Sequence, residues 1–266
     1  MRSPYEKMQI AKNVSRPNFY SYVNAVFDDF TELHGDRLFG DDSAIAGGIA
    51  RLGKIPVTVI GTVKGNTTNE NIQRNFGMPN PEGYRKALRL MQQAVKFHRP
   101  VICLIDTPGA YPGVGAEQRG QGEAIAKNLM SMMSLKTPVI SVITGEGGSG
   151  GALALAVANT VYMLENAVYS VISANGFASI LWKDAKREKE AAELMKMTAQ
   201  DLYAFKVVDK IIPEHPDGAH ISPEITFTAL KKELTKDIKK LTSMSEDDIL
   251  TGRYEKFRSF GVFTKI

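Results

Sequence analysis

Cysteine is nearly absent: Cys103 is the single thiol among 266 residues. One cysteine excludes a disulfide framework and any multi-cysteine zinc or iron–sulfur site within the chain. Set in the apolar run Val101-Ile-Cys-Leu-Ile105, it reads as an inert buried thiol rather than a nucleophile. Long apolar runs are missing too. None approaches the roughly 20 residues of a membrane-spanning helix, and the polar opening Met1–Asn13 has no signal-peptide apolar core. These absences point to a soluble, cytoplasmic protein. Charge of one sign is also scarce. Lys+Arg 33 against Asp+Glu 29 leaves +4, spread along the chain, whereas nucleic-acid binders concentrate their basic residues on one face. The remaining composition, 43% hydrophobic and 23% charged, excludes a disordered, collagenous or coiled-coil chain. At about 150 residues per domain, the length fits one large domain or two intimate ones, and no linker forces a boundary.

What the chain does have is a repeat. Pro56-Val-Thr-Val-Ile60, Pro100-Val-Ile-Cys-Leu-Ile105 and Pro138-Val-Ile-Ser-Val-Ile143 each set a proline before a β-branched apolar run. Proline is tolerated at the first residue of a strand, and near-continuous apolarity suits strands covered on both faces. Between them the period changes. Tyr84, Ala87, Leu88, Met91, Ala94 and Val95 recur every 3.6 residues or so, as in an amphipathic helix, with Asn80-Pro81 as N-cap and first helical residue. His98 and Arg99 fall at its C-terminus, facing the dipole. Further helices are expected over 116–135 and 151–158. Alternating strands and helices define an α/β layered fold. Helices also flank it. The spacing predicts one helix over 18–33, with Phe19, Val23, Val26, Phe27, Phe30 and Leu33 on one face and Gly35 as its stop. Another carries the stripe Leu230, Leu234, Ile238 and Leu241, its charges Lys231, Lys232, Glu233, Lys236 and Asp237 forming a solvated face.

Two glycine-rich turns end the second and third strands: Asp106-Thr-Pro-Gly-Ala-Tyr-Pro-Gly-Val-Gly115 and Thr144-Gly-Glu-Gly-Gly-Ser-Gly-Gly-Ala152. A strand-to-helix turn points unpaired N–H groups outward and so holds negative charge without a charged side chain. The second turn has more glycine than tight packing alone is expected to need. Three chemistries compete for it. Gly145-Glu-Gly-Gly-Ser-Gly150 satisfies the dinucleotide pattern, with Glu165 about 20 residues on, but at least two strand units precede it. Gly147-Gly-Ser-Gly-Gly151 satisfies the nucleophile-elbow pattern, with Asp184, Asp209, His215 and His220 downstream, but Gly145-Glu146 stands between strand and elbow. The third is an oxyanion hole built from backbone N–H groups of the two turns. It leaves little signature beyond glycine, and no acid pair, histidine ligand set or Cys/His couple is evident. Neither turn has the Lys-Ser/Thr ending of a phosphate loop.

The two turns, with Arg74-Asn-Phe-Gly-Met-Pro79, Pro81-Glu-Gly-Tyr-Arg-Lys-Ala-Leu-Arg-Leu-Met91 and Tyr169-Ser-Val-Ile-Ser173, resemble the alpha-subunit family of bacterial acetyl-CoA carboxylase carboxyltransferases. The likeness runs from about Arg16 to Phe260. It implies a crotonase-like α/β fold of repeated ββα units with flanking helices: an N-terminal segment over 1–15, shorter than the helical extension of many members, and a C-terminal-type carboxyltransferase domain over 16–260. It implies transfer of a carboxyl group from carboxybiotin to acetyl-CoA, giving malonyl-CoA for fatty-acid synthesis. Biotin would arrive in trans on the biotin carboxyl carrier protein, with no metal in this chain. Implied partners are a beta subunit with a four-cysteine zinc finger, in an alpha2-beta2 assembly, and biotin carboxylase. On this likeness the N–H groups of Gly150 and Gly151 would hold the ureido oxygen. Gly109 and Ala110 would adjoin them, and Gly147 and Gly148 would line the biotin side. Arg74, Arg85 and Arg89 are expected on a solvated helix face, with CoA phosphates or the carrier protein as the alternative. Trp182 is left open between core and interface.

Overall fold

The computed structural model describes residues 2–261. It opens with α1 (Pro4–Ala11), α2 (Phe19–Val26), β1 (Asp28–Glu32), β2 (Ile45–Leu52) and β3 (Ile55–Thr62). There follow α3 (Thr68–Gln73), α4 (Pro81–Lys96), β4 (Val101–Thr107), α5 (Val114–Gln118), α6 (Gln121–Met133), β5 (Val139–Gly148) and α7 (Ser149–Leu153). The last part holds β6 (Thr160–Leu164), β7 (Val168–Ser170), α8 (Ala174–Trp182), α9 (Glu188–Leu194), α10 (Ala199–Ala204), β8 (Lys210–Ile212), α11 (Pro223–Thr242) and α12 (Glu246–Arg258).

All three proline-led runs are strands, and each lies in one sheet of order β1-β2-β3-β4-β5-β6-β8, with β7 on β5. β1, β2 and β3 are antiparallel; from β3 to β8 the pairing is parallel. The ββα order appears in β6–β7–α8, and in β2–β3 followed by α3 and α4. Strand alternation places helices on both faces. Gly47, paired with Ile60, turns toward Leu90 of α4, while its neighbour across the pleat, Gly61, turns toward Phe19 of α2. No described helix is long and apolar enough to cross a membrane.

α4 starts at Pro81 as its sequence predicts and buries Tyr84, Ala87, Met91 and Ala94, although the Asn80 side chain makes no capping bond. His98 takes the left-handed position after it (φ 52). His98 N–H donates to Val95 O and Arg99 N–H to Ala94 O, a Schellman ending. Cys103 is fully buried, and burial pushes its thiol up to about 12, so it stays an unreactive thiol at neutral pH.

Three helix expectations are corrected. The segment 18–33 is not one helix: α2 ends at Val26, Phe27 is extended, and β1 pairs with the edge of β2. Gly48 permits this, since a Cβ there would lie 2.0 Å from Thr31 O. The segment 116–135 is broken at Gly120 (φ +83), between α5 and α6. The third helix starts two residues early, at Ser149, and stops at Leu153. On α11 the apolar stripe is buried as expected, but Asp237 is not solvated. It is buried, accepts from the Tyr162 hydroxyl at 2.6 Å and pairs with Lys210 at 2.8 Å. Met8 and Ala11 of α1 pack in a second apolar cluster with Val168, Ala174, Ala191 and Met197. Trp182 flanks that cluster, half-buried, with the Arg187 guanidinium 4.0 Å above its ring.

Candidate active site

Parallel β4 and β5 carry both glycine turns to the same edge of the sheet, where α/β folds bind their ligands. The two strands leave register there. Ile105 pairs with Ile143 but Thr107 with Gly147, so two steps along β4 face four along β5. Beyond this bulge β5 continues beside β7, with Gly147 opposite Tyr169 and Gly148 opposite Ser170. In the first turn, Gly109 N–H donates to Thr107 Oγ1 at 3.0 Å. Tyr111 N–H donates to Pro79 O at 3.0 Å. Gln121 Nε2 bridges Pro79 O and Tyr111 O at 2.8 and 2.9 Å. The Arg74–Pro79 motif therefore braces the first turn from behind.

The glycines divide into two kinds. A Cβ at Gly148 would meet Pro108 O at 2.1 Å, and one at Gly151 would meet Ala110 N at 2.4 Å and the Tyr84 hydroxyl at 2.9 Å. Gly145 backs onto the Asp106 carboxylate at 2.5 Å and Gly147 onto the Tyr169 ring at 2.7 Å. Backbone against backbone leaves no room to give. Packing thus accounts for Gly148 and Gly151 against backbone and for Gly145 and Gly147 against side chains, so the glycine in excess of packing need comes down to Gly150. Gly150 is different: its nearest neighbour would be Ile125 Cγ2, at 3.8 Å. The N–H groups of Gly150 and Gly151 open α7, where helical donors have no partner within the helix, and no side chain caps them. Beside Ser149 and Gly150 lies an apolar cavity of about 450 Å³, walled by Leu153, Tyr169, Phe257 and Phe260.

Ser149 stands at the junction itself. Because β5 runs through Gly148, no residues intervene between strand and serine, and Ser149 has φ 50, as an elbow serine would. What is missing among the described residues is a base bonded to it. His220 lies 3.2 Å from Asn13, and His215 faces Asp217. Asp209 accepts from Val161 N–H and pairs with Lys256, and Asp184 caps a short 3-10 turn. Among the described residues none of these bonds to Ser149.

Below the turns lie charges that sequence reasoning missed. Lys64 Nζ reaches Asp106 Oδ1 at 2.7 Å and Glu146 Oε2 at 2.6 Å. Arg16 donates to Glu214 Oε2 at 2.9 Å and to Thr144 O at 2.7 Å, fully inside. Burial opposes both cations, but the adjacent carboxylates outweigh it and raise both pKa values. These residues are spread from position 16 to 214, so no local pattern could have joined them. The arginines are also corrected. Arg85 binds Asp36, Glu82 and Arg119 O; Arg89 binds Gly35 O and His34 O; Arg74 binds Ser43 O and lies over the Tyr20 ring. Arg85 and Arg89 knit loops to α4, and Arg74 ties the end of α3 to the loop at Ser43, instead of forming a solvated face.

Asp36 gives this knitting a pH dependence. Burial would raise its pKa, but the N–H groups of Leu38, Phe39 and Gly40 and the Arg85 guanidinium hold it at about 2. A carboxyl lowered on folding adds stability above its ordinary value and loses it as pH falls through the folded value. Asp36→Asn should melt lower than the parent at neutral pH and converge on it toward pH 2, read by melting temperature against pH. Parallel curves would remove Asp36 from the acid response.

Solved structures of the same architecture define the class. Transcarboxylase 12S superposes with a TM-score of 0.68 at 20% identity, covering 88% of this chain and 44% of that one. This chain therefore spans less than half the transcarboxylase's length. A Pseudomonas malonate decarboxylase hetero-tetramer in complex with coenzyme A superposes at 0.67 with 17% identity, covering 83% and 89%. The fold is crotonase-like, mixed α/β with a parallel-rich sheet. A family model described as acetyl co-enzyme A carboxylase carboxyltransferase-like matches residues 2–261, and the chain belongs to that family. Relatives named acetyl-coenzyme A carboxylase carboxyl transferase subunit alpha include those of Clostridium botulinum, strain Eklund 17B, and Halalkalibacterium halodurans. The first is 60% identical over 97% of this chain and 94% of its own length; the second is 54% identical over 99% and 81%.

Proposed function

We propose that the chain is the alpha subunit of a bacterial acetyl-CoA carboxylase carboxyltransferase, acting with a beta subunit to move a carboxyl group from carboxybiotin to acetyl-CoA. Its 60% identity to a relative so named, over nearly the whole of both chains, carries the reading. Carboxybiotin, brought by the biotin carboxyl carrier protein, supplies the carboxyl group. The site suits such a guest: Gly150 stands open, uncapped N–H groups begin α7, and an apolar cavity adjoins them. Gly150 and Gly151 would donate to the ureido oxygen, and a donor aimed where negative charge develops is worth about 3–4 kcal/mol. Gly109 and Ala110 form the adjoining wall. Gly147 and Gly148 act by holding the turn close to Pro108 and Tyr169. No side-chain base is assigned, and the acetyl-CoA side falls to the beta subunit, in an alpha2-beta2 assembly. Biotin carboxylase would complete the larger complex.

The test is co-expression with the beta subunit and assay in reverse, with malonyl-CoA and free biotin. The pair should turn over and the purified chain alone should not. Biotin-dependent malonyl-CoA decarboxylation by the chain alone would refute the shared site. A second reading, a serine hydrolase, is favoured only by the backbone of Ser149. Fluorophosphonate should leave Ser149 unlabelled, and labelling there would revive it.

A further inference from the structure

We infer that Lys64 is a positioning residue for this reaction: by bridging Asp106 and Glu146 across the β4–β5 bulge, it aims the Gly150 and Gly151 N–H groups. The inference rests on the carboxyltransferase reading above and deepens it. A bulge breaks the ladder and redirects the strand beyond it, and the backbone groups it frees must find other partners. Here side chains supply them. Glu146 N–H donates to Asp106 Oδ1 at 2.8 Å, Thr144 O accepts from Arg16, and the Thr144 hydroxyl donates to Ile105 O at 3.2 Å. Asp106 is itself tied to β3, its N–H donating to Thr62 Oγ1 at 2.6 Å. The direction in which β5 leaves the bulge therefore depends on where the Asp106 carboxylate is held.

Lys64 holds it. One ammonium group takes a carboxylate from each side, so the ends of β3, β4 and β5 meet at a single atom. Its stem is clamped as well. Asn75 (φ 48) and Phe76 (φ 55) both take left-handed backbone, and Gly77 then lies against the lysine, where a Cβ would sit 2.7 Å from Lys64 Cγ. Consecutive left-handed non-glycine residues are costly and persist only where the surroundings impose them. The charges facing the cluster are Lys64 and Arg16 against Asp106, Glu146 and Glu214. Lys12 lines a pocket with Glu146, but its Nζ turns to Glu188 at 3.4 Å. Without Lys64 the two carboxylates would face each other at close range, and like charges disfavour joint ionisation. They separate, or one takes up a proton.

The experiment compares Lys64→Met and Lys64→Arg with the parent, each in complex with the beta subunit. It reads melting temperature, co-purification, and kcat and KM for biotin-dependent malonyl-CoA decarboxylation against pH. Small misplacements of reacting groups cost about 10²-fold in rate. Lys64→Met should lose about that much in kcat with KM for malonyl-CoA nearly unchanged. The loss should shrink as pH falls, since one protonated carboxyl can then bridge to the other. Lys64→Arg should recover most of the rate. If assembled Lys64→Met turns over like the parent with the parent's pH profile, the lysine is only a structural bridge and the inference fails. Where Lys64→Met does not assemble, Glu146→Gln keeps the Lys64–Asp106 pair and decides: lowered kcat supports the inference, parental kcat overturns it. A parent complex without activity would instead overturn the carboxyltransferase reading itself.

Discussion

Valine at Gly150 is expected to leave folding and assembly intact and to lower turnover by about 10²–10³-fold, the worth of one well-aimed oxyanion donor. The space is there: nothing but Ile125 Cγ2 comes within 4 Å of a Cβ at this position. A β-branched side chain there would crowd the apolar cavity that Gly150 lines. Gly151, adjacent in sequence, should behave in the opposite way. Its Cβ would be driven into Ala110 N at 2.4 Å and Gly109 C at 2.6 Å, both backbone, and the Tyr84 hydroxyl bond to Gly151 O would be strained. Overpacking of this kind costs about 1–3 kcal/mol. At about 2–4 °C per kcal/mol, Gly151→Ala should melt several degrees low. Measuring melting temperature, co-purification with the beta subunit and reverse rate for both variants separates a blocked site from a packing fault. Normal activity of an assembled Gly150→Val complex would take Gly150 out of the site.

Arg253→Met is the second large effect. Arg253 on α12 is fully buried and has no carboxylate partner among the described residues. Its guanidinium donates to Met132 O at 2.6 Å, Leu135 O at 2.9 Å, Thr137 O at 2.9 Å and Asn159 Oδ1 at 2.6 Å. Burial alone brings its pKa down to about 10, so it stays charged at neutral pH. Methionine would strand three carbonyls at about 1–3 kcal/mol each. A fall in melting temperature of about 6 °C or more should follow. α12 also brings Phe257 toward the cavity beside Gly150. Loosening the helix should therefore admit a protease between 246 and 258 and expose the cavity to an apolar dye. A melting curve superimposed on the parent's would show that α12 is anchored elsewhere.

Where local chemistry and tertiary demand agree, the sequence was sufficient. The proline-led apolar runs had to be buried strands, because nothing else hides continuous β-branched surface on both faces. Pro81 and the 3.6 period settled α4, and the stripe on α11 settled which side it buries. The length and specificity of the glycine-turn motifs were enough to reach the family.

Tertiary structure decided the rest, because each remaining question concerned a neighbour far away in sequence. Residues 28–32 carry helical apolar spacing, yet they pair with β2, whose open edge needs hydrogen bonds more than α2 needs another turn. Asp237 reads as surface until Tyr162 and Lys210 are placed beside it. The glycines of the second turn look alike in sequence. Only the close approach of Pro108, Gly109 and Ala110 shows that Gly148 and Gly151 have no room for a side chain and that Gly150 is open. Likewise Lys64, Asp106 and Glu146 become one group only because β3, β4 and β5 are parallel neighbours that end at the same edge.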